Sequence, residues 1–170
     1  MKAFGVAGWS GSGKTTLVAR LIPALVARGV SVSTIKHAHS GFDVDQPGKD
    51  SYEHRRAGAR EVLVASSTRY AIMHELRGAP EPSLNEQLKH FAPCDLVIVE
   101  GFKSEPFAKL EVHRAASSAP LLYPEDPHIV AVATDEPLDT RLPQLDLDDA
   151  EGVARFILTH LGLNRARLVR

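Results

Sequence analysis

Gly8-Trp9-Ser10-Gly11-Ser12-Gly13-Lys14-Thr15 is the stretch on which the rest of the chain turns. It is a complete G-x-x-x-x-G-K-[ST] loop, the Walker A or P-loop pattern. The apolar run Lys2-Ala3-Phe4-Gly5-Val6-Ala7 before it suits a buried parallel strand. Behind it Leu17, Val18, Leu21, Ile22 and Leu25 recur at helical spacing, with Gly29 where a C-terminal cap belongs. Strand, loop and helix in that order are the context the pattern requires. Gly8, Gly11 and Gly13 let the backbone turn its N–H groups inward, at the positive end of a helix, with no Cβ in the way. Lys14 is placed to reach β- and γ-phosphates, and Thr15 to offer its hydroxyl to Mg²⁺. Pro23 inside the helix predicts a bend, because proline removes a backbone donor.

At 170 residues, 44% hydrophobic and 24% charged, the chain suits a single nucleotide-binding domain over residues 1–162 with a basic tail at 163–170. A formal charge of −1 supplies no sustained positive field, so neither nucleic acid nor an anionic membrane is the expected partner. Only Arg165-Ala166-Arg167-Leu168-Val169-Arg170 is locally basic, and it reads as a solvated terminus. The lone Cys94 excludes an intramolecular disulfide framework and the multi-cysteine zinc spacings. The N-terminal apolar run is too short for a signal segment, and no stretch approaches the ~18 apolar residues of a membrane span. A cytoplasmic protein is expected.

Val30 to Lys36 alternates Val and Ile with Ser and Thr and reads as a second strand, delivering Lys36-His37-Ala38-His39 to its carboxyl end. The following loop, residues 40–51, is dense in Asp, Gly and Pro, a length that is usually functional or disordered. A short helix over Tyr52 to Gly58 would be capped by Asp50 or Ser51. Glu61 to Ala65 and Arg69 to Leu76 form a hairpin around Ser66-Ser67-Thr68, expected at the edge of the sheet. Ser83-Leu84-Asn85-Glu86 has the form of a capping box. Leu96-Val97-Ile98-Val99 is the clearest core strand and ends in Glu100. Leu110 to Arg114 is a weaker strand and Ile129 to Ala133 a strong one, followed by Thr134-Asp135. Residues 135–147 read as a surface loop, and a last helix starts at Asp148 or Asp149. Strands alternating with helices make this α/β, a P-loop NTPase three-layer fold with a mainly parallel sheet and an antiparallel edge hairpin.

Hydrolysis or transfer at such a loop needs a second carboxylate to hold Mg²⁺ or orient the attacking group. Glu100, at the end of an apolar strand and followed by Gly101, has the position of a Walker B acid. Asp95 precedes that strand and belongs at the opposite end of the sheet. Asp43, Asp45 and Asp50 are open between a role near Mg²⁺ and a solvated acidic loop. His37 and His39 suggest a transition-metal pair only weakly, without a cysteine cluster. Lys36 and Lys49 could meet an anionic second ligand. Arg55, Arg56 and Arg60 read as a solvated helix face. No N-K-x-D segment is present to read guanine; Asp135 stands where a base-reading carboxylate could.

Taken together, the loop, Lys36-His37-Ala38-His39, Phe42-Asp43-Val44-Asp45-Gln46-Pro47-Gly48-Lys49-Asp50-Ser51 and Val99-Glu100-Gly101-Phe102-Lys103 resemble the molybdopterin-guanine dinucleotide biosynthesis protein B (MobB) family over residues 3 to 161. The resemblance implies a homodimeric, Mg²⁺-dependent GTP-binding protein with weak GTPase activity. It assists a molybdopterin guanylyltransferase (MobA-type) that joins GMP to molybdopterin, forming the guanine dinucleotide form of the molybdenum cofactor. It assigns Gly11, Ser12, Gly13, Lys14, Thr15 and Thr16 to phosphate and Mg²⁺, Glu100 to the Walker B role and Asp135 to the base. Lys14 and Glu100 are the expected catalytic pair, Thr15 and Glu100 the expected metal ligands. The competing reading is a small-molecule kinase or ATP-dependent ligase, with the 37–51 loop holding an acceptor.

Overall fold

A computed structural model describes residues 1–38, 41–103 and 105–164. The chain divides into two compact units, one built from Met1–His37 with the chain from Phe91 onward, the other from Ala38–His90.

In the first unit, β1 (Lys2–Ala7) leads through the glycine loop into α1 (Lys14–Val26), and β2 (Val32–Lys36) follows. After the second unit come β5 (Leu96–Glu100), β6 (Lys109–Val112), β7 (Ile129–Thr134), β8 (Gln144–Asp146) and α4 (Ala150–His160), the labels β3, β4, α2 and α3 belonging to the inserted segment described below. The six strands form one parallel sheet in the order β2-β5-β1-β6-β7-β8. Alternation along each strand sorts the two faces. Phe4, Val6, Leu96, Ile98, Leu110 and Val112 turn to the helices and pack with Leu17, Leu21 and Leu25 of α1 and with Val153, Ala154 and Ile157 of α4. Each fully buried Leu, Ile or Phe there contributes ~1.5–3 kcal/mol. The residues between them face the other way, where connecting segments supply the third layer. Lys109, only 1% exposed, donates to Asp126 and to the Lys103 carbonyl, both at 2.7 Å. Glu111, equally buried, accepts from the N–H groups of Leu122 at 2.8 Å and Tyr123 at 2.9 Å.

Local expectations hold in some places and change in others. The helix continues past Pro23, as the apolar pattern predicts: α1 runs on to Val26, and Ala27 N–H donates to the Pro23 carbonyl at 2.9 Å. Residues 144–146, read as loop, form β8 beside β7. Three residues are too few for alternation to register, and only the neighbouring strand makes them a strand. Asp149 caps α4, accepting from Gly152 N–H at 2.8 Å. Leu163, at the start of the expected tail, packs against the core, whereas 165–170 lie outside the described residues.

The second unit holds α2 (Asp50–Arg56), β3 (Glu61–Ala65), β4 (Tyr70–His74) and α3 (Leu84–Leu88). The hairpin does not extend the parallel sheet as an edge; β3 and β4 form a separate two-stranded sheet, with Leu63 opposite Ile72 and Ala65 opposite Tyr70. A short turn suffices to join two antiparallel neighbours, whereas a parallel neighbour needs a long crossover, so the two segments pair locally. The capping box is present, with both Ser83–Glu86 bonds made. The N-cap of α2 is Lys49, without a side-chain bond, and Asp50 lies in the first turn instead. Arg55 is no solvated residue. It pairs with Asp43 at 2.7 Å, Asp45 at 3.2 Å and Glu75 at 2.8 Å, with its side chain 15% exposed. Those bonds hold Asp43 below the ordinary carboxylate range and raise Arg55 further. Two of the loop aspartates are thus tied within their own unit. No helix among the described residues is long and apolar enough to cross a membrane.

Candidate functional site

The register of the sheet brings the site together. Val6 pairs with Glu100 between β1 and β5, and Lys36 of β2 pairs with Glu100 from the other side, so three strands end at one level. Their carboxyl ends are the edge at which α/β sheets bind ligands. Gly13 takes a left-handed conformation (φ 97°) at the N-cap of α1, and the first-turn N–H groups that follow have no intrahelical acceptor. At Gly8 (φ 143°) a Cβ would stand 2.6 Å from the Val112 carbonyl oxygen and 2.7 Å from Ser12 Oγ, so only glycine lets the loop lie this close to β6.

Thr15 Oγ1 donates to Glu100 Oε1 at 2.7 Å. Lys36 Nζ stands 3.4 Å from both oxygens, its side chain 62% exposed. Lys14 Nζ folds back onto the loop, donating to the carbonyls of Trp9 at 2.7 Å and Gly8 at 2.9 Å. Burial lowers the Lys14 pKa first; Lys103 and Lys36 lower it further, and Glu100 opposes them. An ammonium held among like charges at a helix N-terminus is a site short of an anion. Ser12 Oγ adds to this: it is buried and makes no hydrogen bond among the described residues, an orphan that ordinarily costs ~1–3 kcal/mol.

These residues fit a Mg²⁺-bound polyphosphate. The hydroxyl of Thr15 and the carboxylate of Glu100 are oxygen donors of the kind Mg²⁺ takes, and Lys14 with the loop N–H groups suits phosphate oxygens. Gly11 (φ 78°) is open, with nothing within 4 Å of a Cβ position, and Thr16 follows in the exposed first turn of α1.

The geometry also recruits residues to which the sequence reading gave no role. Gly101 (φ 100°) and Phe102 (φ 51°) both lie in the left-handed region immediately after Glu100. A Cβ on Gly101 would come 2.9 Å from His37 Cβ, and the Phe102 ring packs on the His37 ring at 4.8 Å. A bulky residue held there costs ~1–3 kcal/mol, strain of the kind kept at functional sites. The turn presents Lys103, whose Nζ lies 4.0 Å from the centre of the Trp9 ring. Trp9 Nε1 in turn donates to the Pro120 carbonyl at 2.7 Å, tying the loop tip to the segment after β6.

Asp95 lies at the far end of β5, as expected, accepting from Ser31 Oγ at 2.7 Å. Asp135 is near the loop, but its carboxylate already has protein donors: Ala115 N–H at 2.7 Å and Arg114 Nη1 at 3.2 Å. His39 lies outside the described residues. Arg114, missed in the sequence, could have been found as a cation at the carboxyl end of a strand beside β1.

Comparison with known proteins identifies relatives of the chain. The profile of the family described as molybdopterin guanine dinucleotide synthesis protein B matches residues 3–135. The chain is 46% identical over 155 residues to the molybdopterin-guanine dinucleotide biosynthesis adapter protein of Escherichia coli K12, covering 89% of each. It is 45% identical over 157 residues to the adapter protein of Haemophilus influenzae Rd, covering 90% of this chain and 85% of that one. A crystal structure of molybdopterin-guanine biosynthesis protein B superimposes with a TM-score of 0.74 at 28% identity, over 93% of this chain and 99% of that one.

Proposed function

Because the chain belongs to the molybdopterin guanine dinucleotide synthesis protein B (MobB) family, we propose that it binds GTP and Mg²⁺ as an adapter to a molybdopterin guanylyltransferase of the MobA type. The observation that carries this reading is the convergence of Thr15 Oγ1 and Glu100 Oε1 at 2.7 Å beside Lys14. In it, Gly11, Gly13, Lys14, Thr15 and Thr16 hold the phosphates through backbone N–H groups and the ammonium, and Thr15 with Glu100 holds Mg²⁺. There Mg²⁺ would supply charge neutralisation to the bound polyphosphate. Lys14 would swing from the Gly8 and Trp9 carbonyls to phosphate oxygens, relieving its repulsion by Lys36 and Lys103.

The reading includes a cytoplasmic location, supported by the lone Cys94. It also includes a homodimer, supported by the exposed hairpin face, where Leu63, Tyr70 and Ile72 are 59%, 70% and 57% exposed. The kinase alternative has less support: the matched relatives are adapter proteins, and Arg55, the nearest lid-like cation in sequence, is engaged by three carboxylates.

The test is titration of the protein with GTP and ATP, with and without Mg²⁺, joined to an assay of guanine dinucleotide formation by a purified guanylyltransferase and molybdopterin. GTP binding strengthened by Mg²⁺, together with a faster partner reaction, is expected. Phosphoryl transfer to an added small molecule would instead establish the kinase.

A further inference from the structure

The sheet order sets β5 on one side of β1 and β6 on the other. Thr15, Glu100 and Lys36 gather on the β5 flank of the loop. Arg114, two residues past the end of β6, stands on the β6 flank, its guanidinium against Gly13: a Cβ there would lie 3.1 Å from Nε and 3.4 Å from Nη2. Asp135, just past β7, fixes this arginine. One carboxylate oxygen accepts from Arg114 Nη1 at 3.2 Å and the other from Ala115 N–H at 2.7 Å, so a single carboxylate holds both the guanidinium and the backbone that carries it. The Ala115 N–H and then Arg114 keep the Asp135 carboxyl below its usual range, against the opposing effect of burial. The Arg114 side chain remains 37% exposed, so a planar cation is presented, not buried, at the rim of the loop.

A nucleotide with its β- and γ-phosphates at Lys14 and the Thr15–Glu100 pair must lead its other end away from that pair. The chain of phosphates is linear and the metal end is taken by the β5 flank, so the nucleoside leaves over Gly13 towards β6. We infer that Arg114 is the nucleoside-side wall of the site, its guanidinium plane packing on the ribose and purine, and that Asp135 is the residue that positions it. The inference rests on the reading of the loop as a nucleoside triphosphate site and names what holds the other half of that ligand. A guanidinium stacks on the face of any base, so the contact adds affinity without choosing guanine over adenine. Asp135, each of whose oxygens already accepts a protein donor, is assigned to holding Arg114 and not to the base edge.

The experiment is equilibrium titration of the full chain with GTP, ATP and inorganic tripolyphosphate, each with Mg²⁺, for wild type, Arg114→Ala, Arg114→Lys and Asp135→Asn. Arg114→Ala is expected to lose about tenfold or more in affinity for GTP and ATP alike, while tripolyphosphate, which has no nucleoside, changes by less than about twofold. Retained tripolyphosphate binding also shows that the variant is folded. Arg114→Lys keeps the charge and lacks the plane, and should lose most of the same affinity. Asp135→Asn should lose a smaller share with the GTP-to-ATP ratio unchanged. An equal loss towards tripolyphosphate would make Arg114 a phosphate ligand, and undiminished GTP binding would give it no role; either overturns the inference. So does a changed GTP-to-ATP ratio in Asp135→Asn, which would make the carboxylate a base reader. Wild-type protein that binds neither GTP nor tripolyphosphate would remove the nucleotide reading itself, and this inference with it.

Discussion

Thr15 and Glu100, 85 positions apart, meet at 2.7 Å, hydroxyl to carboxylate. One lies in the first turn of α1 and the other closes β5, and the pairing of Val6 with Glu100 sets the level of the strand ends. Glu100 is 9% exposed, so its charge is set in a partly desolvated place where it orients Thr15 and faces Lys36.

Glu100→Gln keeps the shape and removes the charge. Nucleotide affinity without Mg²⁺ should be retained, while the strengthening by Mg²⁺ and any GTP hydrolysis are lost by about a hundredfold or more, the scale of removing a group that stabilises transferring phosphate. Phosphate release and binding measured side by side with and without Mg²⁺ decide it; unchanged turnover would place the metal on another carboxylate.

Lys14→Ala removes the ammonium that donates to the Gly8 and Trp9 carbonyls, and should abolish GTP binding while leaving the melting temperature nearly unchanged or raised. The sign follows from linkage. A lysine whose folded pKa lies below 10.5 binds fewer protons folded than unfolded, so its charge opposes folding at neutral pH, and stability rises as pH climbs from the lowered value towards 10.5. Phosphate restores the charged state, so GTP binding at alkaline pH should take up protons, measurable as a buffer-dependent heat in calorimetry.

Lys109 is buried with Asp126 as its partner, at 1% and 22% side-chain exposure. Asp126→Ala leaves the ammonium without its counter-charge and should cost ~3 kcal/mol, the low end for breaking a buried pair because the aspartate keeps some water. Burial pushes the Asp126 carboxyl up, but the Lys109 bond and the His128 N–H outweigh it and the net shift is downward. The pair therefore contributes fully above the unfolded value of 3.8 and is lost as pH falls through the lower folded value. Denaturant midpoints in mildly acidic and strongly acidic buffer, for wild type and Asp126→Ala, should converge as pH drops.

On the hairpin, Leu63 and Ile72 lie directly opposite one another on an exposed face. If a second copy covers that face, as proposed, light scattering at micromolar concentration should give the mass of a dimer, and Leu63→Lys with Ile72→Lys should shift it to the monomer without loss of GTP binding. A monomeric wild-type mass would refute the dimer.

The features legible in the chain are those carried by neighbours a few residues apart. The glycine loop between strand and helix, the Ser83–Glu86 box, the Asp149 cap and the apolar strand ending in Glu100 each depend on spacings of a few residues, or on a run of one residue class. Alternation tells a strand which side is buried, but not which strand lies beside it. That choice belongs to the tertiary structure. It set the hairpin apart as its own sheet, made a strand of 144–146, gathered Asp43, Asp45 and Glu75 on Arg55, and hung the segment after β6 from the buried Lys109 and Glu111. It also joined Trp9 to Pro120, and Arg114 to Asp135 beside the glycine loop. Contacts over such separations depend on sheet order and register, which follow from the packing of all the strands at once and are written in no single stretch of the chain.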